Sequence, residues 1–365
     1  MAQRAPLTEG DLPAYLAARG LLPEGADVEV RALGGGVSNV VLEARSGPVA
    51  VVTKQALPRL RVADEWLATP ERVLTEAAAL RLTGLLTPGR VPRVLDVDPA
   101  ALTITIERSP DGWTDWKAQL LAGRVDPGVA AELGAVLGTW HGRTWEAGDV
   151  AERFGDLTAF EQLRVDPYYR TVQRRRPELA DAMGAVIDRM AGTPRCLVHG
   201  DFSPKNVLRG AGGTSPMRQG AGGTSPMRQG AGGTSPMRQS SGPDLWVVDA
   251  EVSHYGDPGF DTGFLLTHLA LKSIHRPADR SSYEACALAF WAAYVEGPGG
   301  RAPLDATLGH LAALLLSRVH GKSPAEYLDE GGRARAGALG ESLLLRPPAS
   351  LDGVWERIPA GGADN

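Results

Sequence analysis

Apolar and polar residues alternate in four runs of the N-terminal third, which predicts β-strands over 28–33, 40–44, 49–54 and 102–107. Alternation with a period of two places one set of side chains on a buried face of a sheet and the other set toward solvent. The first two runs are joined by a segment with three consecutive glycines, as expected for a hairpin turn. We therefore expect the N-terminal part of the chain to form a sheet.

Much of the remaining chain has apolar residues at three- and four-residue spacing, which predicts amphipathic helices. Such helices are expected within 1–24, over about 70–83, from 126 onward, and over 264–273, 282–295, 304–319 and 324–328. The stretch Pro110-Asp111-Gly112 separates the sheet from most of the helices. The prediction is an α+β fold with a β-rich N-lobe over residues 1–109 and a mostly helical C-lobe over residues 110–365.

Three short apolar runs in the second half of the chain adjoin a small set of polar residues, in the order His199-Gly200-Asp201, then Asn206, then Asp249. Each has an ordinary structural explanation, because His-Gly-Asp occurs in turns, an Asn side chain can cap a turn, and an Asp can end a strand. These residues occur in the order strand, polar loop, hairpin, strand and acid, and this order is more specific than any single residue of the set. That order favours a functional site.

Phosphoryl transfer from a nucleotide to a hydroxyl needs this set of side chains. Asp201 would accept the proton of the attacking hydroxyl, and Asn206 and Asp249, with Glu251 as an additional ligand, would hold the magnesium ion that neutralises phosphate charge. Lys205 would face the transferred phosphoryl group. The sequence therefore predicts ATP and Mg²⁺ as cofactors and a small hydroxylated molecule as substrate.

The glycine-rich segment between the first two strands is a second candidate for phosphate binding. Glycine has no Cβ, so its backbone N–H groups can approach phosphate closely, and the residues concerned are Gly34, Gly35, Gly36 and Ser38. Three glycines also form ordinary flexible turns. The segment becomes specific only in combination with the Asp201 motif.

Three identical copies of the decapeptide GAGGTSPMRQ occupy residues 210–239. A solenoid repeat needs recurring apolar core positions, and this unit offers only one Met and one Ala. Gly, Ser, Thr and Pro dominate the unit, which is typical of a flexible loop. We expect an inert insertion at the tip of a hairpin, with a weak anion-binding role for its arginines as the alternative.

Composition narrows the class of protein. The 365 residues suffice for two lobes, and a hydrophobic content of 43% supports a buried core. A net charge of −5 gives no basic surface for nucleic acid, and two cysteines indicate no disulfide framework. No signal peptide is predicted, and the apolar runs are too short to span a bilayer. We expect a cytoplasmic protein that binds neither membrane nor nucleic acid.

With these motifs the chain resembles the aminoglycoside phosphotransferase-like kinases, which share the protein-kinase fold. The resemblance is carried by the loop from His199 to Asn206, by the acid-bearing strand end at Asp249, and by the Gly-Asp-Pro of the stretch from Tyr255 to Asp261. It covers roughly residues 25 to 330. It implies a protein-kinase-like fold for the two lobes, with ATP and magnesium in the cleft.

The resemblance also implies roles for residues outside the Asp201 motif. Lys54, at the end of a strand, is expected to contact nucleotide phosphates and to pair with a helix glutamate, Glu76 in preference to Glu71. Glu107 would lie at the hinge, where backbone groups meet adenine. Asp261 is expected to brace the Asp201 loop by hydrogen bonds, together with Asp257.

The N-terminal half is most similar to methylthioribose kinases, on the stretch from Lys54 to Val62. In the C-terminal half, the Asp-x-Glu pattern of Asp249 and Glu251 is also similar to those kinases. The loop departs from that subfamily. Asn206 stands where the subfamily has Ser, and the Pro204-Lys205 pair is absent there. The loop instead follows the general phosphotransferase pattern, which leaves the acceptor open.

Several alternatives remain at the level of sequence. An inactive nucleotide-binding module would be expected to lack one of the three residues Lys54, Asp201 and Asn206, and a metal-dependent hydrolase would use His199, Asp201, Asp249 and His254. Among kinases, the alternative to a sugar-like acceptor is an aminoglycoside. The segment from Thr262 to Asn365 contains eleven acids and ten bases, which is too small an acid excess to favour a polycation. We therefore expect a neutral or modestly charged polyol.

Overall fold

The computed structural model describes residues 6–34, 39–57, 67–210, 245–297 and 300–359. Of the predicted phosphate-contacting residues, Gly35, Gly36 and Ser38 lie outside the described part. The same holds for residues 58–62 of the methylthioribose-kinase-like stretch and for residues 211–239 of the decapeptide repeats.

The N-terminal part forms a five-stranded antiparallel sheet with the strand order β1-β2-β3-β5-β4. Its strands are β1 (Glu29–Ala32), β2 (Asn39–Ser46), β3 (Val49–Ala56), β4 (Val94–Asp98) and β5 (Thr103–Glu107). The four predicted strands are present. The edge strand β4 was not predicted, because a register shift between Val94 and Asp96 breaks its alternation.

Two helices pack against this sheet, α1 (Leu12–Ala18) and α2 (Arg72–Leu86). The predicted apolar face of α2 is buried, and Val73, Ala77 and Leu80 are each at most 2% exposed. They share one hydrophobic core with Val52 of β3 and Ile104 of β5. Burial of this face holds α2 against the sheet, which brings Glu76 of α2 next to Lys54 of β3.

The C-terminal part is mostly helical. Its helices are α3 (Trp116–Leu121), α4 (Pro127–Arg143), α5 (Gly148–Phe154), α6 (Thr158–Phe160), α7 (Thr171–Arg175), α8 (Ala180–Ala191), α9 (Gly259–His275), α10 (Arg280–Glu296), α11 (Leu304–His320), α12 (Glu330–Leu345) and α13 (Asp352–Glu356). A π-helical segment spans Glu161–Arg170, and short 3₁₀ turns span Pro177–Leu179, Pro204–Asn206 and Pro277–Asp279. The predicted α+β fold with a β-rich N-lobe and a helical C-lobe is confirmed.

The predicted helix over 324–328 is wrong. These residues form a turn closed by the Leu328 amide, which donates to the carbonyl oxygen of Ala325 at 3.2 Å. The Ala325 amide donates to the carbonyl oxygen of Arg318 in α11 at 2.8 Å, so this backbone is bonded to α11 instead of to a helical turn of its own. The next helix is α12, and its first turn is capped by the Asp329 side chain, which accepts from the Gly332 amide at 2.6 Å.

Two small sheets in the C-lobe carry the polar loops. Strand β7 (Cys196–Val198) pairs antiparallel with β10 (His254–Gly256), and β6 (Thr114–Asp115), β8 (Val207–Arg209) and β9 (Leu245–Val247) form a three-stranded sheet in the order β6-β8-β9. Beyond the β8–β9 pair, the Val248 amide donates to the carbonyl oxygen of Asn206 at 2.9 Å. This bond places the end of β9 beside the loop that contains Asp201.

Because β8 and β9 pair directly, the chain between them is a hairpin connection that contains the three decapeptides. We predict that deleting two of the three copies leaves the fold and the activity intact. Shortening the connection by twenty residues favours the folded state by about 0.7 kcal/mol of loop-closure entropy. The melting temperature and the turnover number of the shortened chain check this. A large fall in either value would mean that the repeats pack or bind.

Within the described residues, no helix is both long and apolar enough to cross a membrane.

Candidate active site

The loop from His199 to Asn206 is held in one conformation by buried hydrogen bonds. The carboxylate of Asp261, at the start of α9, accepts from the amides of His199 at 2.6 Å and Gly200 at 2.9 Å. Gly200 has φ +77°, and a Cβ there would meet the carbonyl oxygen of Val252 at 2.5 Å, so only glycine fits. The loop therefore presents Asp201 in a fixed direction. Asp257 braces the next turn instead, where it accepts from the Gly259 amide.

The Asp201 carboxylate is buried between two cations. Its Oδ2 lies 2.9 Å from Arg164 Nη2 and 3.0 Å from Lys205 Nζ. Burial alone would raise the pKa of Asp201, but the positive charges of Arg164 and Lys205 outweigh it and hold the pKa below its usual value. Asp201 is therefore ionised at neutral pH. The predicted Lys205 lies next to the predicted acid, and its side chain is half-exposed.

Arg164 is a site residue that the sequence did not reveal. It lies on the π-helical segment Glu161–Arg170, and its Nε also donates to the carbonyl oxygen of Gly200 at 2.8 Å. Its side chain is 9% exposed. Nothing in the local sequence distinguishes this arginine from its neighbours Arg170 and Arg174, so only the three-dimensional contact with Asp201 identifies it.

Lys54 lies between two carboxylates from different parts of the chain. Its Nζ is 2.7 Å from Glu76 Oε1 on α2 and 2.6 Å from Asp249 Oδ1 after β9. Burial would lower the pKa of Lys54, but Asp249 and Glu76 raise it above its usual value. Burial would likewise raise the pKa of Asp249, and Lys54 and Lys205 lower it. Lys54 and Asp249 are therefore charged partners across the cleft between sheet and C-lobe.

Asn206 and Asp249 each offer an oxygen atom of the kind that binds a divalent cation. The Nδ2 of Asn206 donates to the carbonyl oxygen of Asp201 at 3.0 Å, which leaves Oδ1 as the amide atom able to ligate a metal. Asp249 has φ +68°, a left-handed conformation that is costly for a residue with a side chain and is common at functional sites. Two hard oxygen donors on neighbouring loops are the ligands that Mg²⁺ prefers.

Glu251, predicted as an additional metal ligand, contacts the N-lobe in the structure. Its Oε2 accepts from Asn39 Nδ2 of β2 at 2.8 Å and from Arg72 Nε of α2 at 3.1 Å. Glu76, Asp249 and Glu251 are close enough to hold one ion, as judged over the described residues. The contacts with Asn39 and Arg72 also join Glu251 to the N-lobe, so this side chain links the two lobes at the cleft.

The remaining predicted nucleotide contacts lie on the N-lobe. Glu107 ends β5, where its amide donates to the carbonyl oxygen of Arg93 at 2.8 Å and its carboxylate pairs with the Arg93 guanidinium at 3.1 Å. Its amide and its side chain therefore serve the sheet, which makes the residues after Glu107 the better candidates for adenine. Gly34 is exposed just beyond β1.

The two histidines of the hydrolase alternative are packing residues. The Nδ1 of His199 faces the Asp201 amide at 3.2 Å, and His254 stacks on Phe160 with ring centroids 3.8 Å apart. Burial lowers the pKa of His199 and lowers that of His254 to about 4, so both rings are neutral. Within the described residues, no histidine belongs to the group placed to hold a metal.

Comparison with curated proteins finds methylthioribose kinases. The chain is 24% identical over 278 residues to that of Erwinia tasmaniensis, covering 68% of this chain and 62% of the relative. It is 24% identical over 288 residues to that of Pectobacterium atrosepticum, covering 71% and 64%. The chain therefore spans less than two thirds of the length of these relatives.

Similar solved structures include the choline kinase LicA from Streptococcus pneumoniae and the ADP-bound aminoglycoside phosphotransferase APH(2'')-Ib. The first is 14% identical and covers 92% of this chain and 99% of its own, and the second is 11% identical and covers 97% and 98%. Both have a TM-score of 0.45, which is too low to support an argument about function.

The family is decided by a match to residues 29–217, more than half of the chain. That range contains Lys54, Glu76 and the loop from Asp201 to Asn206, which the structure brings to one cleft. The chain belongs to the phosphotransferase enzyme family.

Proposed function

We propose that this protein is an ATP-dependent kinase that transfers the γ-phosphoryl group to a hydroxyl of a small, sugar-like molecule. The observation that carries the proposal is the convergence of Asp201, Asn206, Asp249 and Lys54 on one cleft from three separate segments. This set supplies a group that orients the hydroxyl, two ligands for a cation, and a cation for phosphates.

The proposed role of Asp201 is to bind and orient the hydroxyl of the acceptor. Its low pKa keeps it ionised, so that it accepts a hydrogen bond from the hydroxyl and orients the oxygen toward the phosphoryl group. In a loose transition state the proton leaves late, and a weak base is sufficient. Lys205, half-exposed at 3.0 Å from Asp201, is assigned the phosphoryl group that approaches the same hydroxyl.

Asn206 and Asp249 are the proposed ligands of Mg²⁺, with Glu251 as an additional ligand. When bound, the ion would neutralise the charge of the nucleotide phosphates. Lys54 is assigned the α- and β-phosphates, and its contact with Glu76 holds the ammonium in place before the nucleotide arrives. Gly34, Gly35, Gly36 and Ser38 are assigned the phosphates as well, and the chain near Glu107 is assigned adenine.

A sugar-like acceptor is supported by the names of the curated relatives, which are methylthioribose kinases. We also propose that the boundary between the two lobes lies near Pro110 and that the protein is located in the cytoplasm.

The test is incubation of the full chain with MgATP and pooled hydroxylated metabolites, followed by mass spectrometry for products heavier by one phosphoryl group. ADP must form in step with the product. ADP formation that does not depend on any acceptor would support a hydrolase. Nucleotide binding without ADP formation in any pool would support an inactive nucleotide-binding module.

A further inference from the structure

A face of α9 runs away from the Asp201 loop and ends at Lys272, a cation that the kinase assignment does not use. Phe264, His268 and Lys272 lie one helical turn apart, so they share one side of α9. Arg164, which contacts Asp201, places its Cζ 5.9 Å from the centre of the Phe264 ring. The face therefore begins at the catalytic loop and continues past His268 to Lys272.

Arg318 of α11 and Lys117 of α3 complete this cationic face. Arg318 is 9% exposed and Lys272 is fully buried. Lys272 and Lys117 place their Nζ atoms 5.3 Å and 5.8 Å from the centre of the Tyr327 ring. The positive field reaches the catalytic loop, because Arg164, Arg318 and Lys205 lower the pKa of Tyr168 although burial alone would raise it.

At the far end of the face, carboxylates do not balance the charges of Lys272, Arg318 and Lys117. The acids that act on Lys272 there are Glu326 and Asp115. At the near end, Arg164 and Lys205 are matched by the carboxylates of Asp201, Asp249 and Glu251. Glu326 pairs with Lys117 and lies 4.0 Å from Arg318, and Asp115 caps α3. Burial, Lys117 and Arg318 lower the pKa of Lys272 to about 7, which is the mark of a buried amine without a close acid.

Three buried polar atoms on this face have no hydrogen-bond partner among the described residues. They are Nε of Arg318, Nδ1 of His268 and Oη of Tyr327. Another guanidinium nitrogen of Arg318, Nη1, donates to Ser323 Oγ at 2.8 Å, which fixes the side chain while Nε stays unpaired. Folded proteins rarely bury donors without partners, and uncompensated buried cations are costlier still. Both features are expected of a site whose partner is a ligand.

We propose that the phosphate acceptor carries an anionic group, a carboxylate or a phosphate, which binds Arg318 and Lys272 while its hydroxyl is held at Asp201. This inference rests on the proposed kinase function and specifies its substrate class. The anion would pair with the unpaired Nε of Arg318 and the ammonium of Lys272, and would accept from Tyr327. A polycationic aminoglycoside would meet the positive charges of Lys272, Arg318 and Lys117 and be repelled.

The first test is isothermal titration of the full chain with sulfate, and separately with acetate, at constant ionic strength. The proteins are the parent, Arg318→Gln, Lys272→Met, and Arg333→Gln as a control. Arg333 is exposed on α12, so its substitution removes one positive charge outside the face. We expect saturable binding by the parent and the control, weakened at least tenfold in the other two variants. Preference for sulfate indicates a phosphate group on the acceptor, and preference for acetate a carboxylate.

Equal affinities in all four proteins, or no saturable binding of either anion by the parent, would overturn the inference. Lys272→Met keeps the approximate shape of the side chain. It therefore still tests the inference if the Arg318→Gln variant does not fold. Titration with MgADP is run beside it on the parent and on Lys54→Met. If the parent binds the anion but does not bind MgADP, the kinase proposal is overturned and the anion site still stands. In the acceptor screen, phosphorylated products from anionic compounds support the inference, and products only from neutral or cationic ones contradict it.

Discussion

Asp201→Asn is expected to lower the turnover number about 1,000-fold, which corresponds to about 4 kcal/mol of barrier. An amide keeps the size of the carboxylate but accepts hydrogen bonds weakly and takes no proton. MgADP affinity should stay within about twofold, because among the described residues the Asp201 carboxylate contacts only Arg164 and Lys205, and ADP lacks the phosphoryl group assigned to Lys205. Steady-state kinetics with the identified acceptor and titration with MgADP measure both quantities.

The matched control is Asp181→Asn, on the exposed side of α8, which should behave like the parent. A turnover number within tenfold of the parent in Asp201→Asn would mean that another group handles the hydroxyl. Tenfold corresponds to only about 1.4 kcal/mol, less than a positioned base supplies.

Lys54→Met is expected to lower kcat/KM about 100- to 1,000-fold, or about 3–4 kcal/mol. The ammonium is the cation closest to both Glu76 and Asp249 and is assigned the nucleotide phosphates. The substitution should also destabilise the fold by about 3–5 kcal/mol, because it leaves the fully buried Glu76 without its cation. Activity assays and thermal unfolding measure the two effects separately.

The double variant Lys54→Met/Glu76→Gln distinguishes catalysis from stability. Replacing Glu76 by Gln removes the unpaired buried charge, so most of the lost stability should return. Activity should stay low, because the cation for the phosphates is still missing. If activity returned together with the melting temperature, Lys54 would be a structural residue and its assigned contact with phosphates would be wrong.

The main elements could be predicted from the sequence because their signals are local. Alternation over 49–54 and helical spacing over 70–83 depend only on which face of a short segment is buried, and β3 and α2 lie there. Prediction failed where local pattern and packing differ. Strand β4 contains a register shift, and the turn at 324–328 has the composition of a helix but is bonded to Arg318 of α11 through the Ala325 amide.

By itself, the sequence determined the order of the polar residues around Asp201 and Asn206, because each directly follows or precedes a short buried strand. The resemblance to kinases, and not the local pattern, indicated Glu76 as a partner for Lys54, and the structure places Glu76, not Glu71, against that ammonium. Roles in catalysis and metal binding remain predictions.

Only the tertiary structure decided which distant cations meet these acids. Arg72 reaches Glu251 across 179 residues, and Arg164 reaches the Asp201 loop from a π-helical segment. Lys272 and Arg318 come together because α9 and α11 pack side by side. Along the chain, Lys272 and Arg318 are single charges in separate helical sequences. A count of the acids and bases in the segment does not show that they face the same site. The charge of a pocket depends on which few side chains face it, and packing alone determines that.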